Sequence, residues 1–216
     1  MSMPTPLIVA IVLSAVAAIA ADWNEGKPPL FKLLKPLTTI LIAALAWQAP
    51  DSLYRSALLA ALLLSLVGDI ALMYESNAAF LAGLGSFLLA HLVFMLAFLH
   101  GVETYRLPGW AWWFPVYGAA LGIVLVRRAD AALRAPVIVY ALVLTGMALT
   151  AALRWQALGG VTGGFALLGA ALFVLSDSAL GVRRFVGRYR GAQGLILATY
   201  WGGIGCIAWS AQGVAP

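Results

Sequence analysis

The chain has 216 residues, of which 63% are hydrophobic and only 10% are charged, and its mean hydropathy is +0.98. Soluble domains are about 25% charged, so this composition excludes a water-soluble domain and predicts an integral membrane protein. The net charge of +5 arises mainly from arginines in short loops beside apolar segments. That pattern is typical of basic residues that set the orientation of a membrane protein and contact lipid phosphates. The sequence contains no nucleic-acid-binding motif.

Eight apolar segments approach the roughly 20 residues that a helix needs to cross a bilayer. In chain order they are residues 5–21, 29–48, 53–73, 79–99, 109–126, 133–153, 161–181 and 192–211. The first lacks a basic leader region, which favours a membrane anchor over a cleaved signal. Because the connections are short, the sequence predicts an all-α polytopic transmembrane bundle, with residues 1–216 forming a single integral membrane domain. The second and fifth segments are the weakest, which leaves the exact number of crossings open.

Positive charge is distributed unevenly between the two sets of loops. The loops after segments 1, 3, 5 and 7 carry ten basic residues: Lys27, Lys32, Lys35, Arg127, Arg128, Arg134, Arg183, Arg184, Arg188 and Arg190. The opposite loops carry only Arg55, Arg106 and Arg154. Since cytoplasmic loops are enriched in Lys and Arg, we expect the first set in the cytoplasm and both termini on the non-cytoplasmic side.

Two acidic residues lie inside apolar segments, Asp69 in SLVGDIALM and Asp177 in VLSDSAL. The other six, which we expect to be solvated, are Asp22, Glu25, Asp51, Glu75, Glu103 and Asp130. Asp69 and Asp177 each precede the predicted cytoplasmic end of their helix by about four residues, or roughly 6 Å at 1.5 Å per residue. They therefore share a depth, and we expect them to face one another across the bundle.

This pair of aspartates has a structural and a catalytic interpretation. Each acid could simply pair with a neighbouring Lys or Arg, although ionisable groups inside membranes more often mark function. Two nearby carboxyl groups in a medium of low dielectric rarely both ionise, which supplies an acid and a base without a metal. Two histidines are too few for a three-histidine zinc site, and neither Ser176 nor Ser178 has a G-x-S-x-G context. We therefore expect no metal and no cofactor.

Other polar residues belong to the same membrane layer. Lys35 could snorkel to the headgroups, keep one aspartate ionised, or bind a phosphate. His91, in the middle of its segment, is either a packing residue or part of the site. On the last segment, Thr199 and Tyr200 place hydroxyl groups in the cytoplasmic half.

Short motifs resemble those of the YhhN-like lysoplasmalogenase family, in the same order along the chain. They are Lys35-Pro36, Gly68-Asp69, His91, Leu175-Ser176-Asp177-Ser178 and Ala198-Thr199-Tyr200. The resemblance implies about eight helices and hydrolysis of the vinyl ether of lysoplasmalogens, the lysoplasmenylethanolamines and lysoplasmenylcholines. The products would be a fatty aldehyde and glycerophosphoethanolamine or glycerophosphocholine. It also implies a lysophospholipid substrate and, as we expect, residence in a bacterial inner membrane.

The resemblance suits the acid–base interpretation, because vinyl ethers hydrolyse by proton delivery to carbon. We hypothesise that Asp69 or Asp177 delivers the proton while the other stabilises the cation and activates water. Lys35 would neutralise the substrate phosphate or determine which aspartate is charged. We count four residues as supporting these groups: His91, Ser176, Thr199 and Tyr200.

Two other functions compete with hydrolysis. Paired acids in a helical bundle could relay protons in a proton-coupled transporter, and the 108 positions between Asp69 and Asp177 hint at two parallel four-helix halves. Transporters usually show inverted repeats and broken helices, which the sequence does not make evident. An intramembrane aspartyl protease would need G-x-G-D, whereas residues 66–69 read Leu-Val-Gly-Asp.

Overall fold

A computed structural model describes residues 4–23 and 25–213. It contains eight α-helices, as predicted, and the described residues include no strand. The helices are α1 Thr5–Ala21, α2 Pro29–Trp47, α3 Leu53–Ala71, α4 Asn77–Leu99, α5 Trp113–Arg128, α6 Ala131–Leu158, α7 Gly160–Gly181 and α8 Ala192–Trp209. A 3₁₀ turn, Gly109–Trp112, precedes α5, and a π-helical turn, Val182–Val186, continues α7.

Within residues 4–23 and 25–213, six helices, α2 to α7, are long and apolar enough to cross a membrane when the turns that extend α5 and α7 are included. The two weakest predicted segments, now α2 and α5, are among them, and α1 is a shorter apolar helix. Many leucines point away from the bundle, and Leu96 and Leu142 are each 68% exposed. Such a surface is compatible with lipid rather than water, because nothing in a bilayer penalises exposed hydrocarbon.

Several helix boundaries differ from the sequence-based expectation, and two of the differences have clear local reasons. The α4 helix begins at Asn77 because the Ser76 hydroxyl accepts a hydrogen bond from the Ala79 backbone N–H at 3.0 Å, the usual role of an N-cap serine. The α6 helix continues to Leu158 and ends at Gly159, whose φ of +60° suits glycine.

The longer α6 corrects the expected position of Arg154. Counted as a loop charge, it lies instead on α6 and is only 4% exposed. Its guanidinium sits 3.9 Å from the centroid of the Tyr54 ring and donates to the His100 carbonyl at 2.8 Å. Arg154 therefore ties α6 to α3 and to the end of α4.

Seven helices pack in a ring in the order α1, α2, α3, α4, α6, α7 and α8, and α8 closes the ring against α1. Extensive contacts join α3 to α4 and α7 to α8, and further contacts run from α4 to α6 and from α6 to α7. The α8 helix also touches α1, α2 and α3. The α5 helix packs mainly on α6 and on the π-helical turn, so it lies at the periphery.

Glycines allow the closest helix approaches. A Cβ atom at Gly169 on α7 would lie 2.5 Å from the Gly203 carbonyl oxygen of α8. A Cβ atom at Gly68 on α3 would lie 2.6 Å from the Phe87 ring of α4. Small residues of this kind let helix backbones come together in membranes, and here they bring the helices that carry Asp69 and Asp177 against their partners.

Candidate active site

Asp69, which is 1% exposed near the end of α3, accepts hydrogen bonds from several groups. The Thr39 hydroxyl donates to its Oδ2 atom at 2.7 Å, and the Tyr200 hydroxyl donates to the same atom at 2.8 Å. The ammonium of Lys35 lies 3.3 Å from Oδ1 and donates to the backbone carbonyl of Asp69 at 3.3 Å. This carboxyl group is therefore both charge-paired and held in a fixed orientation by α2 and α8.

Asp177 on α7 has a different environment. The Tyr140 hydroxyl of α6 donates to its Oδ2 atom at 2.6 Å, and Nε2 of His91 on α4 lies 3.7 Å from the same atom. His91 is fully buried, and neither of its ring nitrogens makes a hydrogen bond in the described part of the chain. Because no lysine or arginine among the described residues lies within ion-pair distance of Asp177, its carboxyl group has no full counter-charge.

An aromatic cluster joins the two acids. The Phe173 ring centroid lies 5.5 Å from that of Tyr200 and 4.6 Å from that of His91, both in edge-on geometry. Phe87 also packs edge-on against Phe173 and Tyr200, with centroids 6.1 and 5.7 Å away. The aromatic rings place apolar groups between the acids, which lowers the local dielectric.

Asp69 and Asp177 line one cavity of about 510 Å³. Its walls come from α2, α3, α4, α7, α8 and the loops at the same end of the bundle. Five basic residues also line it: Lys27, Lys35, Arg183, Arg184 and Arg188. The expectation that the two acids approach one another is met in this sense, since both face a common space whose mouth is positively charged.

Side-chain contacts order the rim of this cavity. Arg183 bonds the Glu25 carboxylate at 2.7 Å and the Gln193 side-chain oxygen at 2.8 Å. Lys27 donates to the Leu72 carbonyl at 3.2 Å, and burial lowers the pKa of its ammonium below the usual 10.5. The loop between α1 and α2 is thereby fastened to the ends of α3 and α7.

Asp22 corrects an expectation, because it is buried rather than solvated. Its carboxylate accepts hydrogen bonds from the Lys27 backbone N–H and from the Gln193 side chain, both at 2.6 Å. Position at a helix end predicts solvation only when no neighbouring segment covers it. Here the loop folds back over Asp22, and α8 supplies the second donor.

The predicted supporting residues separate into two groups. Lys35, His91 and Tyr200 lie against the acids as described above. Ser176 lines the cavity, but its hydroxyl donates to the Ile196 carbonyl of α8 at 3.0 Å. The Thr199 hydroxyl donates to the Leu195 carbonyl of its own helix at 2.7 Å, and Thr199 does not line the cavity. The structure thus brings Ser176 to the site as a link between helices and leaves Thr199 outside.

Tyr140 is the main site residue that the sequence analysis did not identify. It lies in the apolar run VIVYALVL, 37 positions before Asp177 and on another helix. A single hydroxyl in such a run was the only available signal, and tyrosine is common at membrane boundaries. Thr39 resembles this case, because only the packing of α2 against α3 and α8 shows that it contacts Asp69.

The arrangement is suited to proton transfer. Two carboxyl groups, one paired with a cation and one not, border a space large enough for a small organic group. Among residues 4–23 and 25–213, no group of three or more His, Cys, Asp or Glu side chains is placed to hold a metal ion. The side chains present therefore offer acid–base chemistry beside a basic entrance.

Fold and site together define a multi-pass helical membrane protein with two buried carboxyl groups on one cavity. The sequence profile of the YhhN family matches residues 30–211, and the chain belongs to this family. The match covers all the residues that surround the two acids.

Curated relatives carry consistent names. The chain is 33% identical over 171 residues to the human protein named lysoplasmalogenase TMEM86B, a match that covers 78% of this chain and 70% of the human one. It is 32% identical over 212 residues to proteins named lysoplasmalogenase from Mycobacterium bovis and Mycobacterium tuberculosis, covering 88% of this chain and 73% of theirs. No solved structure matches the chain.

Proposed function

We propose that this protein is a lysoplasmalogenase of a bacterial inner membrane, which hydrolyses the vinyl ether of lysoplasmenylethanolamine or lysoplasmenylcholine. The products are a fatty aldehyde and the corresponding glycerophospho-alcohol. The observation that carries the proposal is the pair of differently partnered carboxyl groups, Asp69 and Asp177, on one cavity with a basic mouth. The names of the relatives support the same activity.

The contacts favour Asp177 as the acid and Asp69 as the base. Asp69 faces the Lys35 ammonium and two hydroxyl donors, which stabilise its ionised form. Asp177 has only a tyrosine hydroxyl and an imidazole nearby, and an unpaired charge in an apolar environment is costly. Its Oδ2 atom accepts from Tyr140, which leaves Oδ1 to carry a proton toward the cavity.

The reaction then proceeds with balanced proton transfers. Asp177 gives its proton to the β-carbon of the vinyl ether, and the resulting oxocarbenium ion lies between two carboxylates. Water adds to the α-carbon while Asp69 takes a proton from it. In the collapse of the hemiacetal, Asp177 recovers a proton from the new hydroxyl group and Asp69 returns its proton to the leaving oxygen. Both acids end in their starting states, and one water molecule is consumed.

The rim of the cavity fits the polar part of such a substrate. Arg188 is exposed and makes no ion pair within the described chain, and Lys27, which also lines the cavity, lies 3.6 Å from the Glu75 carboxylate. Together they provide positive charge for a phosphodiester, while Glu75, also on the rim, offers a carboxylate for an ammonium headgroup. We propose Lys35 as the partner of Asp69, rather than of the substrate phosphate, because of the ion pair between them.

The proposal is tested with purified protein in detergent, supplied with a lysoplasmenylethanolamine while aldehyde release is followed. General acid–base catalysis contributes about 10²–10⁴-fold, so we expect losses in that range for Asp69→Asn and Asp177→Asn. In D₂O, the aldehyde formed by the wild type carries deuterium on the carbon next to the carbonyl, because the proton comes from an exchangeable group.

The matched control is Asp130→Asn, which changes an exposed acid in the loop after α5 and keeps full activity. A folded wild-type protein that releases no aldehyde would exclude the hydrolase and leave the proton-coupled transporter as the better hypothesis. Full activity in both site variants would keep the enzyme but remove the aspartates from its mechanism.

A further inference from the structure

A second space, an apolar crevice, adjoins the cavity. It runs between α4, α5, α6 and α7 and is lined by residues such as Leu84, Tyr117, Gly118, Leu121, Gly122 and Leu144. Five residues border both spaces: Leu72, Phe80, Phe87, Asp177 and Leu180. Asp177 thus lies where a polar compartment meets an apolar one.

The crevice has the length of one lipid tail. On α5 its lining extends from Leu125, beside Gly181, to Phe114. These eleven steps along the helix cover about 16 Å at 1.5 Å per residue. A bilayer has a hydrocarbon core of about 30 Å, so one leaflet offers its chains about half of that depth.

The crevice is narrow, and one of the helices that line it, α5, is loosely packed. Its free volume is about 80 Å³, less than a long hydrocarbon chain requires. Two glycines of α5, Gly118 and Gly122, line the crevice where it meets α6. On the α6 side the small side chain of Ala141 leaves space in the crevice. Along α5, all of which is described, Leu125 is the only buried residue. A helix held mainly by α6 and the π-helical turn can move outward to admit a chain.

We propose that this crevice binds the alkenyl chain of the substrate and releases the fatty aldehyde sideways into the bilayer. The inference rests on the proposed function, because it assumes that the vinyl ether lies at Asp177. A molecule with one chain and one charged headgroup matches the two compartments on either side of this residue. The length and bulk of the chain that the enzyme accepts are then set by α5 and α6.

The test compares a long-chain lysoplasmenylethanolamine with a short-chain, water-soluble analogue. In Gly122→Leu and Ala141→Leu the added side chains fill the crevice, so we expect kcat/KM for the long chain to fall by roughly 10-fold or more, as for comparable changes of pocket size. The short analogue does not need the crevice and should change less than about twofold. The control is Gly205→Leu on α8, a glycine with no atom within 4 Å of its added Cβ, for which both substrates behave as with wild type.

A third variant keeps the proposal testable if the first two variants do not fold. Leu121→Ala enlarges the crevice and should raise the relative rate for a branched-chain substrate, which a merely structural role for Leu121 does not predict. The proposed role of the crevice would be refuted if folded variants lost kcat/KM equally for long and short substrates and if Leu121→Ala gave no increase for the branched substrate. The proposed hydrolysis would be unaffected by that result. If the wild type cleaves neither substrate, the proposed function itself fails.

Discussion

Lys35 distinguishes the two buried acids more than any other side chain. It is the only lysine or arginine in the described chain within ion-pair distance of either one. Asp69 consequently sits in a charged network with Thr39 and Tyr200, whereas the direct contacts of Asp177 are the Tyr140 hydroxyl and the His91 ring. Two identical residues in one cavity can take different roles because their partners differ, as in other enzymes with paired carboxyl groups.

The first prediction concerns this ion pair. Removing one partner of a buried pair leaves an uncompensated charge and typically costs 3–5 kcal/mol, so Lys35→Met should lower the free energy of unfolding by about that amount. The double variant Lys35→Met/Asp69→Leu should recover most of the loss, because no buried charge remains. Denaturant titration in detergent measures both.

Lys32→Met provides the comparison for Lys35→Met, since Lys32 lies on the same helix but is exposed. It should change the free energy of unfolding by less than about 0.5 kcal/mol, as surface substitutions do. A Lys35→Met protein as stable as Lys32→Met would mean that Asp69 is not held as an ion.

At the residue scale, the sequence predicted the acids better than their partners. Asp69 and Asp177 could be found because a carboxylate inside an apolar run is unusual whatever surrounds it. Tyr140 and Thr39 could not, because their role depends on which helices pack together. Thr199 neighbours Tyr200 in sequence, but its hydroxyl donates to the Leu195 carbonyl of its own helix and the residue does not line the cavity.

The helices themselves were largely predictable, because a bilayer imposes a minimum length of apolar residues. Their ends were less so. The α6 helix passes its predicted end and carries Arg154 with it, since the Tyr54 ring and the His100 carbonyl accommodate the guanidinium inside the bundle. A hydropathy pattern places the end of a segment at an arginine, but the helix continues past that arginine when packing provides partners for its guanidinium.

The contact between α7 and α8 yields a prediction at this scale. In Gly169→Ala the new methyl group would meet backbone atoms, the Gly203 oxygen at 2.5 Å and the Ile207 nitrogen at 2.9 Å, which cannot rotate away. Overpacking of this kind costs typically 1–3 kcal/mol. We expect a matching loss of thermal stability and reduced aldehyde release, because Asp177 moves with α7 while Tyr200 moves with α8.

Gly205→Ala on α8 is the paired measurement, since a Cβ there meets nothing within 4 Å. Alanine favours helix over glycine by up to about 1 kcal/mol, so this variant should be as stable as wild type or slightly more so. Equal melting temperatures for the two variants would show that α7 and α8 separate easily.

At the scale of the whole molecule, the direction of insertion is the outstanding prediction. The excess of positive charge in the loops and helix ends where α1, α3, α5 and α7 finish predicts that the cavity mouth faces the cytoplasm and that both ends of the chain lie outside. A phosphatase reporter fused after Pro216 should therefore be active, and one placed in the loop at Arg188 should be inactive. The reverse pattern would invert the topology and place the mouth outside.

The arrangement of partners also fits two related halves, α1–α4 and α5–α8. The extensive pairs α3–α4 and α7–α8 occupy equivalent places in the two halves, and each carries one acid. Each acid has partners from its own half, Lys35 and Thr39 for Asp69 and Tyr140 for Asp177. The spacing of 108 residues hinted at this relation, but the sequence could not show how the halves meet.

The remaining partners are exchanged between the halves. The tyrosine that holds Asp69 comes from α8, and the histidine beside Asp177 comes from α4. Neither half completes the surroundings of its own acid, so the proposed mechanism requires the docking of one half against the other. We therefore expect a small shift along the interface between the halves to abolish activity while every helix stays intact. Activity is therefore a more sensitive gauge of assembly than helical content.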